Sequence, residues 1–436
     1  MNARHIPASS SCVCGEEAEP EALNKVRGSG RRSVTGMRQQ GQIAPIALFG
    51  VLIASAVLVM LFNTGQKVTE KSQVANAADA AAYSGAVWTA RHLNFMAYTN
   101  RAMIANHAAV GHLVSYVSWI RYVHDSIQYV DRITRFIPYV GQYVSAVETI
   151  AQEVREGTEE AAGVFIPAID GWNANFRAAQ IETQASLALD HLDDLMQQTA
   201  RRWDPDIRIN DRDELGQMPD SLRAIVELQM LAQLAGVPTF VKRYSASSDD
   251  GAVGELISAS LTANDDMQRW ISGERGWREN LILAQIRKQG STTNTQTGNG
   301  ADWRAQDQLQ YRTRSLFGWG HWRRIGDETS RASATEFARN YQGVPAYYNV
   351  AGRPDNQSLN IAALATKRQS QVATRTSFGM DANAAPLAVA AMARVEFHRP
   401  GGTAFQSLGG NRHEYSNLFN PFWDAHLVPL DSGIGL

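Results

Sequence analysis

One segment of the chain combines aromatic rings with positive charge closely enough to bind a ligand. Its members are Tyr311, Arg312, Arg314, Phe317, Trp319, His321, Trp322, Arg323 and Arg324. Rings that stack on bases, placed beside cations that attract phosphates, are typical of sites for single-stranded nucleic acid or another anionic polymer. The same composition also arises where aromatic side chains pack together and arginines surround them in solvent. We favour this second interpretation and do not expect nucleic acid to be a partner.

The sequence offers few residues for metal or acid–base chemistry. His413, Glu414 and His426 do not have the His-Glu-x-x-His spacing that places two zinc ligands on one helix face. Cys12 and Cys14 are the only cysteines, and two thiolates do not complete a metal site. Gly-x-Ser-x-Gly, P-loop and dinucleotide-binding patterns do not occur in the sequence. We therefore predict no catalytic residue, no cofactor and no metal.

The elements that position these residues begin with an apolar run at residues 43–62, which contains no charged residue. Twenty helical residues rise about 30 Å, the thickness of the hydrocarbon core of a bilayer. Pro45 falls in the first turn, where its missing N–H costs little. A buried core helix is the alternative, but core helices are usually amphipathic, whereas this run is apolar on all sides. The run predicts one transmembrane helix.

The flanks of this run indicate its orientation. Five basic residues and no acid precede it closely: Lys25, Arg27, Arg31, Arg32 and Arg38. Basic residues near a span stay on the cytoplasmic side, so we expect a cytoplasmic N-terminus and an exported C-terminal bulk. Residues 1–36 have too few apolar side chains to fold alone, which predicts a disordered tail. The long apolar run favours an uncleaved signal-anchor over a cleaved form.

An alanine-rich stretch follows the span and reads as a helix. Ala75, Ala78, Ala82, Ala86 and Ala90 recur at steps of three and four, and alanine has the highest helix propensity. No proline occurs between Pro45 and Pro138. One helix of that length would measure about 140 Å, so we expect breaks at Gly85 and Gly111 and a stalk that folds back as a hairpin.

The rest of the exported part divides into three. Residues 91–289 are expected to be helical. Within them, 112–160 are amphipathic, break at Pro138–Gly141, and pack against the stalk or lie on the membrane surface; we favour packing. Residues 290–300 lack apolar and charged side chains and predict a flexible linker. Residues 301–436 are expected to form a small α+β part, with strands near 346–350, 370–376 and 391–398.

The first residues also carry a resemblance. Arg38 and Gly41-Gln42 precede the span, and Asn76-Ala77-Ala78-Asp79-Ala80-Ala81 follows it. In this order, residues 37–90 resemble the N-terminal module of Tad (Flp) pilus-assembly proteins of the TadE/TadG type. The resemblance implies a single-pass protein of the bacterial cytoplasmic (inner) membrane with a periplasmic or other extracytoplasmic domain. Residues 417–427 are also similar to an ending found in proteins with this module.

The resemblance implies a non-catalytic role in assembling or anchoring a type IV-like pilus or a related envelope machine. Its partners would be the lipid bilayer and other pilus-assembly or pilin-like membrane proteins. One alternative is a cleaved pseudopilin in the filament, although Ile46 stands where processed pilins carry a glutamate. The other is a membrane-tethered envelope hydrolase. The Asp-x-Ser-x-Ser metal site found in longer TadG-type proteins does not occur in this sequence.

Small residues within the span indicate how it would pair. Ala47, Gly50 and Ala54 lie on one helix face, where small side chains let another helix approach closely in lipid. These residues allow an oligomer to form through this helix; the alternative is that they have no pairing role, since glycine and alanine are common in any membrane helix. The predicted fold is mainly α, with one N-terminal transmembrane helix that continues into an extended helical stalk and a helical exported region, followed by the small α+β part.

Overall fold

The computed structural model describes residues 43–136, 140–187, 189–211, 213, 223, 240, 245–246, 257, 270–271, 275–297, 300–315, 318–344, 347–348, 358–372, 385–398 and 416–430. The tail predicted at residues 1–36, the motif residues Gly41 and Gln42, and the pair His413-Glu414 lie outside this part. The chain divides into two units, Met1–Leu58 and Val59–Leu436. The described part of the first unit is helical.

Four helices lie wholly within the described residues: α1 (Ile43–Thr134), α2 (Val140–Ser186), α3 (Leu189–Arg201) and the short α4 (Ala334–Phe337). Residues 213, 223, 240, 257 and 270–271 are helical as well. α1 ends and α2 begins around the predicted break at Pro138–Gly141. The two helices pair antiparallel, since Asp131 bonds Ser145 and Asn106 bonds Asn173. The predicted hairpin is therefore present, but its turn follows residue 134.

The predicted helix breaks at Gly85 and Gly111 are wrong. α1 runs through both positions without interruption for 92 residues. Glycine lowers the stability of an isolated helix, but both glycines are buried against other elements. Tertiary packing, which supplies most of the stability of helices in proteins, outweighs the local propensity of these two residues.

Eleven strands occur in the described residues: β1 (Arg208–Ile209), β2 (Ser245–Ala246), β3 (Trp277–Asn280), β4 (Ala284–Thr297), β5 (Gly300–Ser315), β6 (Gly318–Trp319), β7 (Arg323–Ser333), β8 (Tyr347–Tyr348), β9 (Leu359–Lys367), β10 (Leu387–Phe397) and β11 (Trp423–Val428). One antiparallel sheet has the order β1-β9-β10-β11. A second has the order β3-β4-β5-β6, with β7 also paired to β5, and β2 pairs with β8.

Both larger sheets contact α1, which is the common support of the second unit. Asn94 exchanges two hydrogen bonds with the backbone of Trp423 in β11. Further along α1, the Ser115 and Thr292 hydroxyls lie 2.7 Å apart, which joins the helix to β4. The core therefore forms along one helix, with a different sheet on each part of it.

The prediction of a mainly α chain is confirmed only in part. The long N-terminal helix and several further helices are present, but strands of up to 16 residues accompany them. The region 91–289, expected to be helical, also contains β1, β2, β3 and the start of β4. Of the three predicted strand segments, 391–398 lies largely in β10 and 346–350 contains β8. Gln369–Gln371 forms a 3-10 helix instead of a strand.

The linker predicted at residues 290–300 is also wrong. Residues 290–297 belong to β4 and pair in register with β5, from Gly290 opposite Asp307 to Thr297 opposite Gly300. Two polar side chains of this segment bond to α1, Thr292 to Ser115 and Asn294 to His107. Thr293 and Thr295 bond instead to the backbone of β5. Gly290 is required because a Cβ there would overlap the Asp307 carboxylate. The polar residues of this segment thus belong to a paired strand with hydrogen-bond partners on α1 and β5, and not to a flexible linker.

Candidate functional site

The first part of α1 exposes a continuous apolar surface. Eleven large apolar side chains from Ile46 to Phe62 are each 41–72% exposed. A helical window in α1 is long and apolar enough to cross a membrane, and none of it is buried in the protein. An exposed apolar surface of this extent marks contact with a membrane or a partner. The helix fits the predicted single-pass membrane anchor.

The one polar side chain of residues 43–62, that of Ser55, is satisfied inside the helix. The Ser55 hydroxyl donates to the Val51 carbonyl at 2.6 Å and also lies 3.1 Å from the Leu52 carbonyl. The Thr64 hydroxyl donates to the Met60 carbonyl at 2.8 Å. In hydrocarbon, every polar group must find such a partner because no water is available. The segment therefore meets the main condition for insertion.

The predicted helix-pairing residues lie on this exposed surface. Ala47, Gly50 and Ala54 are all exposed, and a Cβ added at Gly50 would meet no atom within 4 Å. Space for a second helix is therefore present at these positions. Pairing itself remains a prediction.

The Asn-Ala-Ala-Asp-Ala-Ala motif divides between two faces of α1. Ala77, Ala78 and Ala81 are completely buried, whereas Asn76 and Asp79 are exposed. Ala80, between the two faces, is half-buried. The alanines thus supply core packing, and the two polar side chains remain available at the surface.

Small residues on this face allow other elements to approach α1 closely. A Cβ at Gly85 would lie 3.1 Å from Met196 Sδ and 3.2 Å from both Ile361 Cγ2 and Leu192 Cδ1. These atoms belong to α3 and β9. The Ser84 hydroxyl also donates to Thr199 Oγ1 at 3.2 Å. α3 and the first sheet therefore pack on the alanine-rich stretch of α1.

A second close approach lies at Gly111. A Cβ there would stand 2.8–2.9 Å from three atoms of the Trp303 indole. Trp303 is only 2% exposed, and its Nε1–H donates to the His107 carbonyl at 2.8 Å. The indole is thus held against α1 at a place where only glycine fits.

His107 is a buried neutral histidine in this interface. Its Nδ1 lies 2.6 Å from the Tyr341 hydroxyl, and its Nε2 lies 3.1 Å from Asn294 Oδ1. Burial lowers the pKa of His107 to about 4, although the hydrogen bond to Asn294 opposes this change. Because Asn294 Oδ1 only accepts, Nε2 carries the proton and Nδ1 accepts from Tyr341. The imidazole joins α1 to β4.

Two buried charge clusters also join α1 to the sheets. Lys367 Nζ in β9 lies 2.6 Å from Glu70 of α1 and 2.5 Å from Asp204. Burial by itself would lower the pKa of Lys367, but the hydrogen bonds and charges of these two carboxylates outweigh it and raise the pKa. The ammonium group therefore stays charged and forms an ion pair with each of the two carboxylates.

The second cluster is centred on Asp307 of β5. Its carboxylate lies 3.2 Å from Arg275 and 2.6 Å from Lys288, and it accepts a hydrogen bond from Ser118 of α1 at 2.7 Å. Burial lowers the pKa of Lys288, and this effect outweighs the opposing charge of Asp307. All four groups are buried, so the cluster positions the second sheet on α1.

The region predicted to be amphipathic at 112–160 contains both buried and exposed apolar side chains. Val114, Val117 and Ile120 are buried in the core, which agrees with the favoured packing interpretation. Near the turn of the hairpin, apolar side chains are exposed instead, among them Phe136 at 83% and Tyr143 at 77%. Contact of this end with a membrane surface remains a prediction.

The aromatic and basic residues between Tyr311 and Arg324, considered above as a possible ligand site, are only partly brought together by the fold. Arg312, Arg314, Trp319 and Trp322 lie on one face of the second sheet, where each arginine is within 6 Å of a tryptophan ring. Arg323 lies on β7 opposite Tyr311, and strand alternation places both on the other face. Phe317 lies outside the described residues, and His321 is exposed.

Sequence reasoning missed two members of this face. Arg278 of β3 and Arg287 of β4 stand directly opposite each other, and both approach the Trp322 ring, at 5.5 and 4.1 Å. The alternation of Gln285, Arg287 and Gln289 along β4 is a signal that could have indicated a polar outer face. The pattern is difficult to detect because the polar segment that follows it resembles a linker.

The described part of the chain contains no cluster of side chains that could hold a metal ion. No group of three or more histidine, cysteine, aspartate or glutamate residues occurs there with the geometry to hold an ion. His426 of β11 lies 3.8 Å from Glu396 and is about half exposed.

Comparison with known families gives one match. Residues 41–88 match the model of the Flp pilus-assembly, TadE/G-like family. This confirms the resemblance predicted from Gly41-Gln42, the span and the alanine-rich motif. No curated protein and no solved structure matches the chain.

Proposed function

We propose that this protein is a membrane-anchored, non-catalytic structural component in the assembly of a Tad (Flp) type IV-like pilus or a related envelope machine. The proposal rests above all on the TadE/G-like domain at residues 41–88, which coincides with the apolar first part of α1 and its buried alanine face. In this proposal the helix anchors the chain in the cytoplasmic membrane. The basic residues before it keep the N-terminus inside, and residues after it are exported.

The division of the family motif supports a role in assembly. Its alanines stabilise the second unit, whereas Asn76 and Asp79 are exposed to solvent 14 and 17 residues after the apolar segment ends at Phe62. Nothing in the fold of the described residues requires these two side chains, since neither makes a side-chain hydrogen bond or ion pair there. We infer that they contact another pilus-assembly or pilin-like membrane protein.

Thiol labelling in intact cells tests the orientation. Cys12 and Cys14 are the only native thiols and lie before the anchor, so a membrane-impermeant maleimide should leave the wild-type chain unlabelled until the membrane is opened. A variant with both cysteines replaced by serine and Lys71→Cys, at an exposed position, should be labelled in intact cells. The reverse pattern would contradict the proposed topology.

Two further measurements test the role and the alternatives. Asp79→Asn and Asn76→Ala should reduce the amount of pilus subunits on the cell surface while the protein level stays constant, whereas Lys71→Gln, an exposed neighbour outside the motif, should not. Sequencing of the N-terminus from purified protein distinguishes the pseudopilin alternative. A mature chain that begins at Gln42 would support that alternative and refute a permanent anchor.

A further inference from the structure

One face of the second sheet carries a row of positive charge without negative partners. Arg278, Arg287, Gln310 and Arg324 stand in direct register across β3, β4, β5 and β7. Neighbouring strands lie about 4.8 Å apart, so the row extends over about 14 Å. Like charges placed directly opposite each other destabilise a sheet. The pair Arg278–Arg287 is therefore unfavourable unless something else compensates it.

The surrounding residues do not supply that compensation. Within the described residues, no ion pair joins Arg278, Arg287, Arg312 or Arg314 to a carboxylate, although other arginines of the protein have such pairs. Partial burial, together with the nearby charges of Arg278 and Arg312, lowers the pKa of Arg287. The positive field of this face is thus only partly offset, by the rings of Trp319 and Trp322.

Hydrogen bonding makes the same face a surface of donors. Gln310 Oε1 accepts from Arg287 Nε at 2.7 Å, and Gln285 Oε1 accepts from Arg312 Nε at 2.6 Å. Because a guanidinium only donates, each amide must turn its oxygen to the arginine and its NH₂ group away from it. The guanidinium ends and the amide NH₂ groups then present donors alone. Anionic oxygens, which only accept, complement such a surface.

The shape of the face favours an extended ligand. A shallow cavity of about 590 Å³ adjoins the row and is lined by Arg278, Arg287, Gln289, Ser291, Gln306 and Gln308. A single small anion would contact one or two of these side chains. A chain with regularly spaced anionic groups can contact the whole row and the cavity beside it.

The rings indicate which polymer fits. Proteins that bind single-stranded nucleic acid offer aromatic faces on which bases stack. Arg287 and Arg312 lie 4.1 and 4.6 Å from the centre of the Trp322 ring, so that ring is occupied by guanidinium groups. The amides instead suit the hydroxyl groups of sugars, which accept and donate hydrogen bonds.

We propose that this surface, the arginine–tryptophan face formed by Arg278, Arg287, Arg312, Arg314, Trp319 and Trp322, binds an acidic polysaccharide, a chain of sugars that carries carboxylate or sulfate groups. The guanidinium groups bind the anionic oxygens, and the glutamine amides bind the sugar hydroxyls. The rings of Trp319 and Trp322 pack against the guanidinium groups of Arg287 and Arg312. The proposal does not depend on a role in pilus assembly.

Binding to defined polymers tests the proposal with full-length protein in detergent micelles. The probes are polygalacturonate, dextran sulfate, neutral dextran and a single-stranded DNA of similar charge. The two acidic polysaccharides should bind, more weakly at high salt, and neutral dextran should not. Arg287→Gln with Arg312→Gln should weaken their binding about tenfold or more, since each lost charged hydrogen bond is worth about that factor.

A matched variant controls for charge. Arg91→Gln with Arg323→Gln removes the same charge from exposed positions away from the face and should change affinity by less than about twofold. Arg278→Gln, which breaks no hydrogen bond within the described residues, provides a second test if the double variant fails to fold. Absence of binding, equal loss in the control, or tighter binding of DNA than of both acidic polysaccharides would each overturn the proposal.

Discussion

Replacement of Gly111 by alanine tests how tightly the second sheet is packed on α1. The added Cβ would stand 2.8–2.9 Å from three ring atoms of Trp303, well inside van der Waals contact. The indole cannot move away freely, because its Nε1–H is bonded to the His107 carbonyl at 2.8 Å. Overpacking of a core costs about 1–3 kcal/mol, and loss of the hydrogen bond would add about 1 kcal/mol.

The helix propensity of alanine opposes this cost. Alanine is favoured over glycine in a helix by about 1 kcal/mol, so Gly111→Ala should lower the free energy of unfolding by about 2 kcal/mol in total. Gly157→Ala is the matched control, because Gly157 lies inside α2 and a Cβ there meets no atom within 4 Å. It should raise the free energy of unfolding by about 0.5–1 kcal/mol.

Gly85→Ala should fall between these two variants. Its new neighbours are the side-chain atoms Met196 Sδ at 3.1 Å and Ile361 Cγ2 and Leu192 Cδ1 at 3.2 Å. These side chains need to move by only a few tenths of an ångström. Chemical denaturation of the full chain in micelles, followed by tryptophan fluorescence, gives the three values. Equal stability of Gly111→Ala and Gly157→Ala would refute the packing argument.

A double-mutant cycle makes this test more specific. In a Trp303→Leu background, the ring atoms that meet the new Cβ are gone, so Gly111→Ala should no longer destabilise the protein. The coupling energy between the two positions should be about 2–3 kcal/mol, typical of residues in direct contact. Additive effects would show that the glycine is required for another reason.

Three further results are expected. The pKa of His107 is about 4 in the folded state against an ordinary 6.5. Its contribution to stability is therefore complete above pH 6.5 and is lost as the pH falls to 4, which lowers the free energy of unfolding by about 3 kcal/mol. Denaturation at several pH values should show this loss in the wild type and not in His107→Gln. Lys367→Met leaves two carboxylates without their cation and should lower the free energy of unfolding by about 3 kcal/mol, whereas Lys71→Met, at an exposed position, should change it by less than about 0.5 kcal/mol. Gly50→Leu fills the open helix face and should weaken self-association in micelles about tenfold, whereas Leu52→Ile on another face should not. Energy transfer between labelled chains measures this association. Equal association of both variants would contradict the predicted pairing site.

Local pattern was sufficient for the elements whose stability is local or depends on solvent. The apolar run at 43–62 contains the eleven exposed apolar side chains of the first part of α1, and the motif around Asn76 and Asp79 lies in the segment that matches the TadE/G-like family. The turn near Pro138 was also predicted, because proline disfavours a helical residue before it. Each of these signals lies within a few residues of the feature it predicts.

Features that depend on distant partners were missed. The polar run from Gly290 to Thr297 lacks apolar residues, which predicts a linker, yet it is a strand that pairs with β5 and bonds to α1 through Thr292 and Asn294. Arg278 and Arg287 were not recognised as part of the arginine–tryptophan face, since only strand pairing brings them beside Trp322. Polarity in the sequence does not reveal whether water or a buried partner satisfies it.

The sequence by itself thus determined the apolar span, the alanine-rich continuation of its helix and the family to which residues 41–88 are similar, because composition and short-range periodicity carry that information. Only the tertiary structure decided that α1 continues unbroken through Gly85 and Gly111. At both positions, a missing side chain provides the space that α3, β9 and the Trp303 indole occupy. A glycine reads as a helix break in isolation, but packing against these neighbours stabilises the helix by more than the local propensity removes.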